Sequence, residues 1–303
     1  MQLPRHGRSL PWVIALLTLN ALVLSSMLHA SPELLVNLRS RSRSKSRSDT
    51  EVNYQEKEKR ARWRSNQTAI IICDMWDDHW CRSAARRVAE MAGPMNEVIK
   101  TARSQGVFII HAPSSVVAFY QNTPQRQRAI QAPFAKTPKP LSTRERWGTA
   151  WCWPEPDHEG ALPIDDNDMG CDCPQKCTIR EAWTRQISTI EIAENDAITD
   201  NGQETYNLLQ SHGIKNVILM GVHLNMCVLG RPFGIRQMVN QGKNVVLMRD
   251  LTDTMYDPRR HPQVSHFQGT KLMVEHVEKF WCPTITSSDL TGKPAFRFQG
   301  ATE

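Results

Sequence analysis

Two side chains in this chain have the chemistry for covalent hydrolysis. Cys227 lies in GVHLNMCVLGRPFG (Gly221–Gly234), between the strand-like run VILMGV and a helix-like run. Asp74 directly follows another apolar run, in TAIIICDMWDDHW (Thr68–Trp80). A cysteine sulfur attacks a carbonyl carbon when a nearby base takes its proton, and an aspartate within reach can be that base. At a helix start, unpaired N–H groups and the helix dipole favour an anion and lower a thiol's pKa. The same N–H groups can hold the oxyanion of a tetrahedral intermediate. Both residue types also have plain structural uses: cysteine is often simply buried, and an aspartate after a strand often caps a helix.

The elements around these residues follow from hydrophobic period. Thr68–Cys73 is a continuous apolar run, suited to a strand covered on both faces. Residues 82–104 space Val88, Met91, Met95 and Val98 as one helical face, with Pro94 expected to split the helix. VFIIHA (107–112) reads as a second buried strand. Further on, STIEIA (188–193), KNVILMGV (215–222), KNVVLMRD (243–250) and the weaker PTITSSDL (283–290) read as strands. NGQETYNLLQSHG (201–213), LNMCVLGRPFGIRQMVNQG (224–242) and GTKLMVEHVEKFW (269–281) read as helices between them. Such alternation argues for an α/β fold with a mostly parallel sheet covered on both faces. Right-handed crossovers put all strand C-terminal ends on one edge, where ligands of such sheets bind. Asp74 and Cys227 both fall on that edge.

Charge and composition set bounds on the rest. The net charge of +6 is concentrated in residues 1–65, which carry 12 Lys/Arg against 5 Asp/Glu; the remainder is near neutral. A nucleic-acid-binding globular domain is therefore not suggested. Residues 1–30 combine a basic start, the apolar stretch WVIALLTLNALVL (12–24) and the small-residue end SSMLHA. This reads as a signal peptide, and so as export to the periplasm or exterior; the alternative is an uncleaved membrane anchor. RSRSRSKSRS (39–48) is low in complexity. It reads as part of a solvated basic linker over 31–65, with an RNA-interaction tail as the sharper alternative.

Residues 112–187 break the strand–helix rhythm. They hold nine prolines, four tryptophans and four cysteines, and read as an excursion lying over one end of the sheet. Cys171, Cys173 and Cys177, together with Cys152, supply four thiols, enough for a tetrahedral zinc site. C-x-C spacing suits zinc poorly, and disulfide stapling of an exported loop is the competing expectation. Trp147, Trp151 and Trp153 would pack the excursion onto the sheet or wall the pocket mouth.

The order IIICDMWDD, then ILMGVHLNMCVLGRPFGIRQM, then VVLMRDLTDTM resembles the isochorismatase-like cysteine hydrolases, the superfamily that includes nicotinamidases. The resemblance covers roughly residues 66–111 and 186–290. It implies a three-layer α/β/α sandwich over 66–290, a short tail over 291–303, and hydrolysis of an amide or related bond through a thioester. By motif position Cys227 would be the nucleophile and Asp74 the base. Val222–His223 would take the place of the family's cis peptide, beside the oxyanion hole formed with Cys227. The family's catalytic lysine has no counterpart: its region reads TIEIAENDAITDNG, where Glu191 and Glu194 are the nearest charges. Lys136, Lys139 and Arg185 are candidates to supply the cation from elsewhere.

His79, Glu194 and Arg231 are possible pocket residues. Asp77 and Asp78 could line the pocket too, with Asp78 equally suited to cap a helix near Cys81. One of Arg231 and Arg236 could bind a substrate anion, or both could be exposed cations supporting the helix dipole. The Asp/His metal pattern of nicotinamidases is absent; HAPSSVVAFYQN offers only His111, so no metal and no organic cofactor are expected. The implied partner is a small-molecule substrate, and a homo-oligomer is expected. Membrane contact would come only through an N-terminal anchor. The alternative function is a non-catalytic relative that keeps the fold for binding or oligomer contacts.

Overall fold

The computed structural model describes residues 32–44, 53–146, 149–154 and 157–301. The expected targeting segment and Trp147 lie outside them. No described helix is long and apolar enough to cross a membrane. In chain order the elements are β1 (Glu33–Ser44), β2 (Asn53–Arg64), β3 (Thr68–Cys73), α1 (Arg82–Ser104), β4 (Phe108–Ala112), α2 (Pro124–Ile130), β5 (Glu145–Arg146), β6 (Thr149–Ala150) and β7 (Ala197–Ile198). They continue with α3 (Gly202–Ser211), β8 (Asn216–Val222), α4 (Ile235–Asn240), β9 (Asn244–Asp253), α5 (His266–Phe280), β10 (Thr284–Ile285) and α6 (Ser288–Thr291).

The main sheet runs β2-β1-β10-β9-β8-β3-β4-β7. Its strands from β10 to β7 are parallel, and β5 and β6 form a separate small hairpin. Chain order reverses between β3 and β8, which lie side by side with Cys73 opposite Gly221. That reversal opens a crevice at their C-terminal ends.

The apolar run of β3 serves two cores at once, because alternate side chains point to opposite faces. Ala69, Ile71 and Cys73 face Leu208, Met238 and Val277 of α3, α4 and α5. Ile70 and Ile72 face Val88, Met91 and Met95 of α1. Burying each isoleucine contributes about 1.5–3 kcal/mol. The sheet is thus the middle of three layers, as the period and the resemblance both imply.

Several local expectations are corrected. Pro94 does not split α1, which runs through it unbroken. The carbonyl deprived of a partner belongs to Glu90, on a partly exposed position where water can serve it. STIEIA is not a strand: Ile190 packs into the α1-side core without joining the ladder, and β7 begins later, at Ala197. The segment after Cys227 is not one helix. A π-helical turn, Leu224–Val228, is followed by a break around Pro232 and Gly234 before α4.

The largest correction is the basic linker. Residues 33–44 and 53–64 form an antiparallel hairpin that extends the main sheet through β10. Arg–Ser alternation has period 2, so Arg39, Arg41 and Arg43 share one strand face. The register sets Arg39 opposite Glu58 and Arg41 opposite Glu56. Opposite charges directly across a ladder stabilise it. The buried carboxylate of Glu278 in α5 accepts from Arg39 Nε at 2.7 Å and Arg41 Nε at 3.1 Å. Leu34 and Val36 complete the anchorage by burial in the core. The folded unit therefore starts near Glu33, not at 66. Its C-terminal tail is also docked, with Phe296 and Phe298 packed on the same core.

The 112–187 excursion holds more regular structure than its composition suggests: α2, a 3₁₀ turn at Val117–Tyr120, and the β5–β6 hairpin. No disulfide joins Cys171, Cys173 and Cys177, which are free thiols. Cys152 lies apart from Cys171–Cys177, with its amide on Gly230 O. Glu159 fastens the excursion instead. It accepts from Arg236 Nε at 2.6 Å, and from His276 Nε2 and Trp281 Nε1 at 2.8 Å each. Burial alone would raise this carboxyl, but the His276 and Arg236 bonds bring it down to about 2. A lowered carboxyl stabilises the fold above its unfolded pKa, and the contribution fades as pH falls through the folded value. Glu159→Gln should thus lower Tm at neutral pH, with the gap to wild type narrowing as pH drops below about 4. Melting curves of both proteins across pH check this; a gap independent of pH would refute it.

Candidate active site

β3 ends at Cys73, and Asp74 turns out of the ladder with φ 49°, in the left-handed region that Asp tolerates better than most residues. The turn brings Oδ1 to the amide of Ser114 at 2.7 Å, beyond the end of β4. Asp74 is fully buried, and its Oδ2 has no hydrogen-bond partner. On the next strand, Gly221 has φ 110°, and a Cβ there would lie 2.1 Å from Cys73 O. Only glycine lets β8 run this close to the end of β3.

The Val222–His223 peptide that follows is cis. His223 O then accepts the amides of Met226 and Val228, which sets the turn carrying Cys227. Asn225 clasps this turn to the end of β9: its Oδ1 accepts Met255 N at 2.9 Å and its Nδ2 donates to Met255 O at 3.1 Å. No local sequence pattern marks Asn225 for that positioning role.

Asp74 and Cys227 are brought together, and the cation beside them is Arg231. Arg231 lies one helical turn beyond Cys227, with its amide on Cys227 O at 2.9 Å. Its guanidinium acts on both the thiol and the carboxylate. It is held by a hydrogen bond to Thr149 Oγ1 and by stacking over Trp151, 4.7 Å from the ring centroid. The sequence placed Arg231 in the pocket but not in this role. Its i+4 spacing from Cys227 was the available signal.

The other proposed cations lie elsewhere. Lys136 and Lys139 are exposed. Arg185 lies near Asp77 at 3.9 Å and over the ring of Phe119. Glu194 is exposed and outside the cavity. Arg236 is neither exposed nor in the pocket, being buried against Glu159. Asp77 accepts Thr184 and Arg185 amides, while Asp78 accepts the His79 amide and pairs with Arg180 rather than capping α1. His111 is buried between Gln186 Oε1 at 2.9 Å and Asp196 Oδ2 at 3.0 Å.

Electrostatics depart from the expected helix-start effect. Burial pushes the Cys227 thiol well above its ordinary range, the Asp74 carboxylate adds to the rise, and Arg231 offsets only part. The short π turn offers too little aligned dipole to reverse this. Burial also raises Asp74, against the opposing pull of Arg231, Cys227 and Ser114. The resting site therefore holds a neutral thiol beside a buried carboxyl group.

Above Cys227 and Arg231 opens a cavity of about 360 Å³. Its wall is aromatic: Trp76 and Trp183 stack at 4.3 Å, and His79 stacks on Trp183 at 5.6 Å. Burial lowers His79 to about 4, so it is neutral near pH 7. His223 also lines the cavity, with its Nε2 unpartnered. Of the tryptophans expected at the mouth, Trp151 supports Arg231 and Trp153 packs under Arg144.

No protein-family model matches the chain, and no curated protein matches it. Solved structures similar to it include a cysteine hydrolase from Pseudomonas syringae pv. phaseolicola 1448A, at 13% identity over 75% of this chain and 92% of that one, TM-score 0.46. An isochorismatase from Pseudomonas putida KT2440 is 12% identical over 75% and 91%, TM-score 0.43. N-carbamoylsarcosine amidase from Thermoplasma acidophilum is 12% identical over 73% and 96%, TM-score 0.39. Isochorismatase-family proteins recur among these structural neighbours.

Proposed function

We propose that the chain is a cysteine hydrolase cleaving a small amide or related C–N bond. The observation that carries this reading is that Cys227 and Arg231 line one cavity at the sheet's reversal point, with the buried Asp74 beside them. Cys227 Sγ attacks the carbonyl carbon as its proton passes to Asp74. The carbonyl oxygen becomes an oxyanion beside the Cys227 amide, and the Arg231 charge steadies the developing negative charge. Asp74 hands the proton to the leaving nitrogen, the C–N bond breaks, and a thioester remains. Water then attacks the thioester, Asp74 takes a proton from it, and the acid leaves as the thiol is restored. The tryptophan walls favour a substrate with a flat or apolar group.

A second reading, a non-catalytic binding or oligomeric protein, is favoured by the raised Cys227 thiol. A panel of aryl and alkyl primary amides and carbamoyl compounds separates the two. The enzyme reading expects turnover and, on rapid quench, an intact mass raised by one acyl group mapped to Cys227. No turnover and no adduct across the panel would leave the binding reading.

A further inference from the structure

Behind the cavity wall, four cysteines from two distant stretches converge. Cys81 precedes the first turn of α1, and Cys171, Cys173 and Cys177 come from the excursion. The Sγ atoms of Cys81, Cys171 and Cys173 all lie within 4.8 Å of one another. Cys81 and Cys173 are 3.9 Å apart, and Cys177 and Cys173 are 3.5 Å apart. Four sulfurs at about 2.3 Å from one tetrahedral ion stand about 3.8 Å from each other. Sulfurs this close leave room for a single ion and not for a multi-iron cluster.

The surroundings of Cys173 suit thiolate, while Cys81 Sγ lies 3.7 Å from Asp172 Oδ1. Ser83 donates its amide to Cys173 Sγ at 3.4 Å, and its hydroxyl lies 3.1 Å from the same sulfur. These groups belong to the first turn of a 23-residue helix, whose N-terminus favours negative charge. Such outer hydrogen bonds hold and orient metal-bound thiolates. Cys81, Cys171 and Cys173 are buried and no pair is bonded, so three mutually close sulfurs have no pairwise partner choice.

We propose that Cys81, Cys171, Cys173 and Cys177 bind one tetrahedral Zn²⁺ in a structural site. The ligand set differs from the one the excursion alone suggests, because Cys81 takes the fourth place and Cys152 has none. The site ties the excursion to α1. Met169 on one side of the three excursion cysteines, and Ile179, Arg180, Glu181 and Trp183 on the other, line the cavity, so the ion fixes one wall of it.

The test is metal analysis of the full chain purified with zinc supplied and loosely bound metal removed by a brief chelator wash. About one zinc per chain is expected for wild type and for Cys152→Ser, and below about a tenth for Cys81→Ser and Cys173→Ser. Because a ligand variant can misfold, wild type is also loaded with Co²⁺. Intense visible bands of tetrahedral cobalt with thiolate charge transfer are expected. Wild type holding less than about a tenth of a zinc per chain and giving no such bands would overturn the proposal. So would peptide mapping that finds these four cysteines in disulfides, or zinc lost equally from Cys152→Ser.

Discussion

Replacing Cys227 by alanine is expected to lower kcat by about 10⁴-fold or more on whichever amide the panel identifies. Cys227→Ser should fall almost as far. A serine hydroxyl is harder to deprotonate than even a raised thiol, and the neighbouring carboxylate is a weak base. Substrate binding should survive in both variants, since the tryptophan wall stays in place. The pH profile carries the finer claim. Asp74 must be ionised to accept the proton, and burial has raised its pKa above the ordinary 3.8. Activity is therefore lost as pH falls through a value above that of an ordinary aspartate. Asp74→Asn removes this acid limb along with most of the rate. Retention of more than about a tenth of wild-type kcat by Cys227→Ala would remove it as nucleophile. An acid limb at or below the ordinary aspartate range would remove Asp74 as the controlling base.

What could be seen in the sequence depended on whether the cause was local. Asp74 and Cys227 were visible because each follows an apolar run, and the parallel sheet sends both run ends to one edge. The helical face of Val88, Met91, Met95 and Val98 was visible for the same reason. The hairpin was hidden because its stabilising partners are distant: Glu278 lies 239 residues beyond Arg39. Composition favoured a solvated tract, yet the period-2 pattern RSRSRS and the facing EKEK already contained the cross-strand pairing. The cysteine quartet was half visible. Three members cluster in the excursion, while the fourth, Cys81, is 92 residues from Cys173 and becomes a neighbour only when α1 meets that loop. Arg231 was visible as a residue and not as a role. An arginine one turn into a helix has an ordinary use as a surface cation, and only the fold shows it buried.

The role of Arg231 yields the second large effect. Arg231→Met keeps much of the side chain's volume and removes its charge. Asp74 then stays buried with no compensating cation, and its carboxyl is driven further up. The acid limb of kcat/KM should move to higher pH than in wild type. The rate at neutral pH should fall about 10²–10³-fold, the loss typical of removing one stabiliser of developing charge. Arg231→Lys returns the charge without the planar fork that bonds Thr149 and stacks on Trp151, so it should restore part of the rate and part of the limb's position. A merely structural arginine would move stability and leave the limb alone. Melting temperature is therefore measured beside the pH profile for all three proteins. If the limb of Arg231→Met coincides with that of wild type, Arg231 does not act on Asp74, and the site's cation has to be sought elsewhere. If the limb shifts and lysine draws it back, the buried arginine at i+4 is the charge that lets a carboxylate ionise beside a buried thiol.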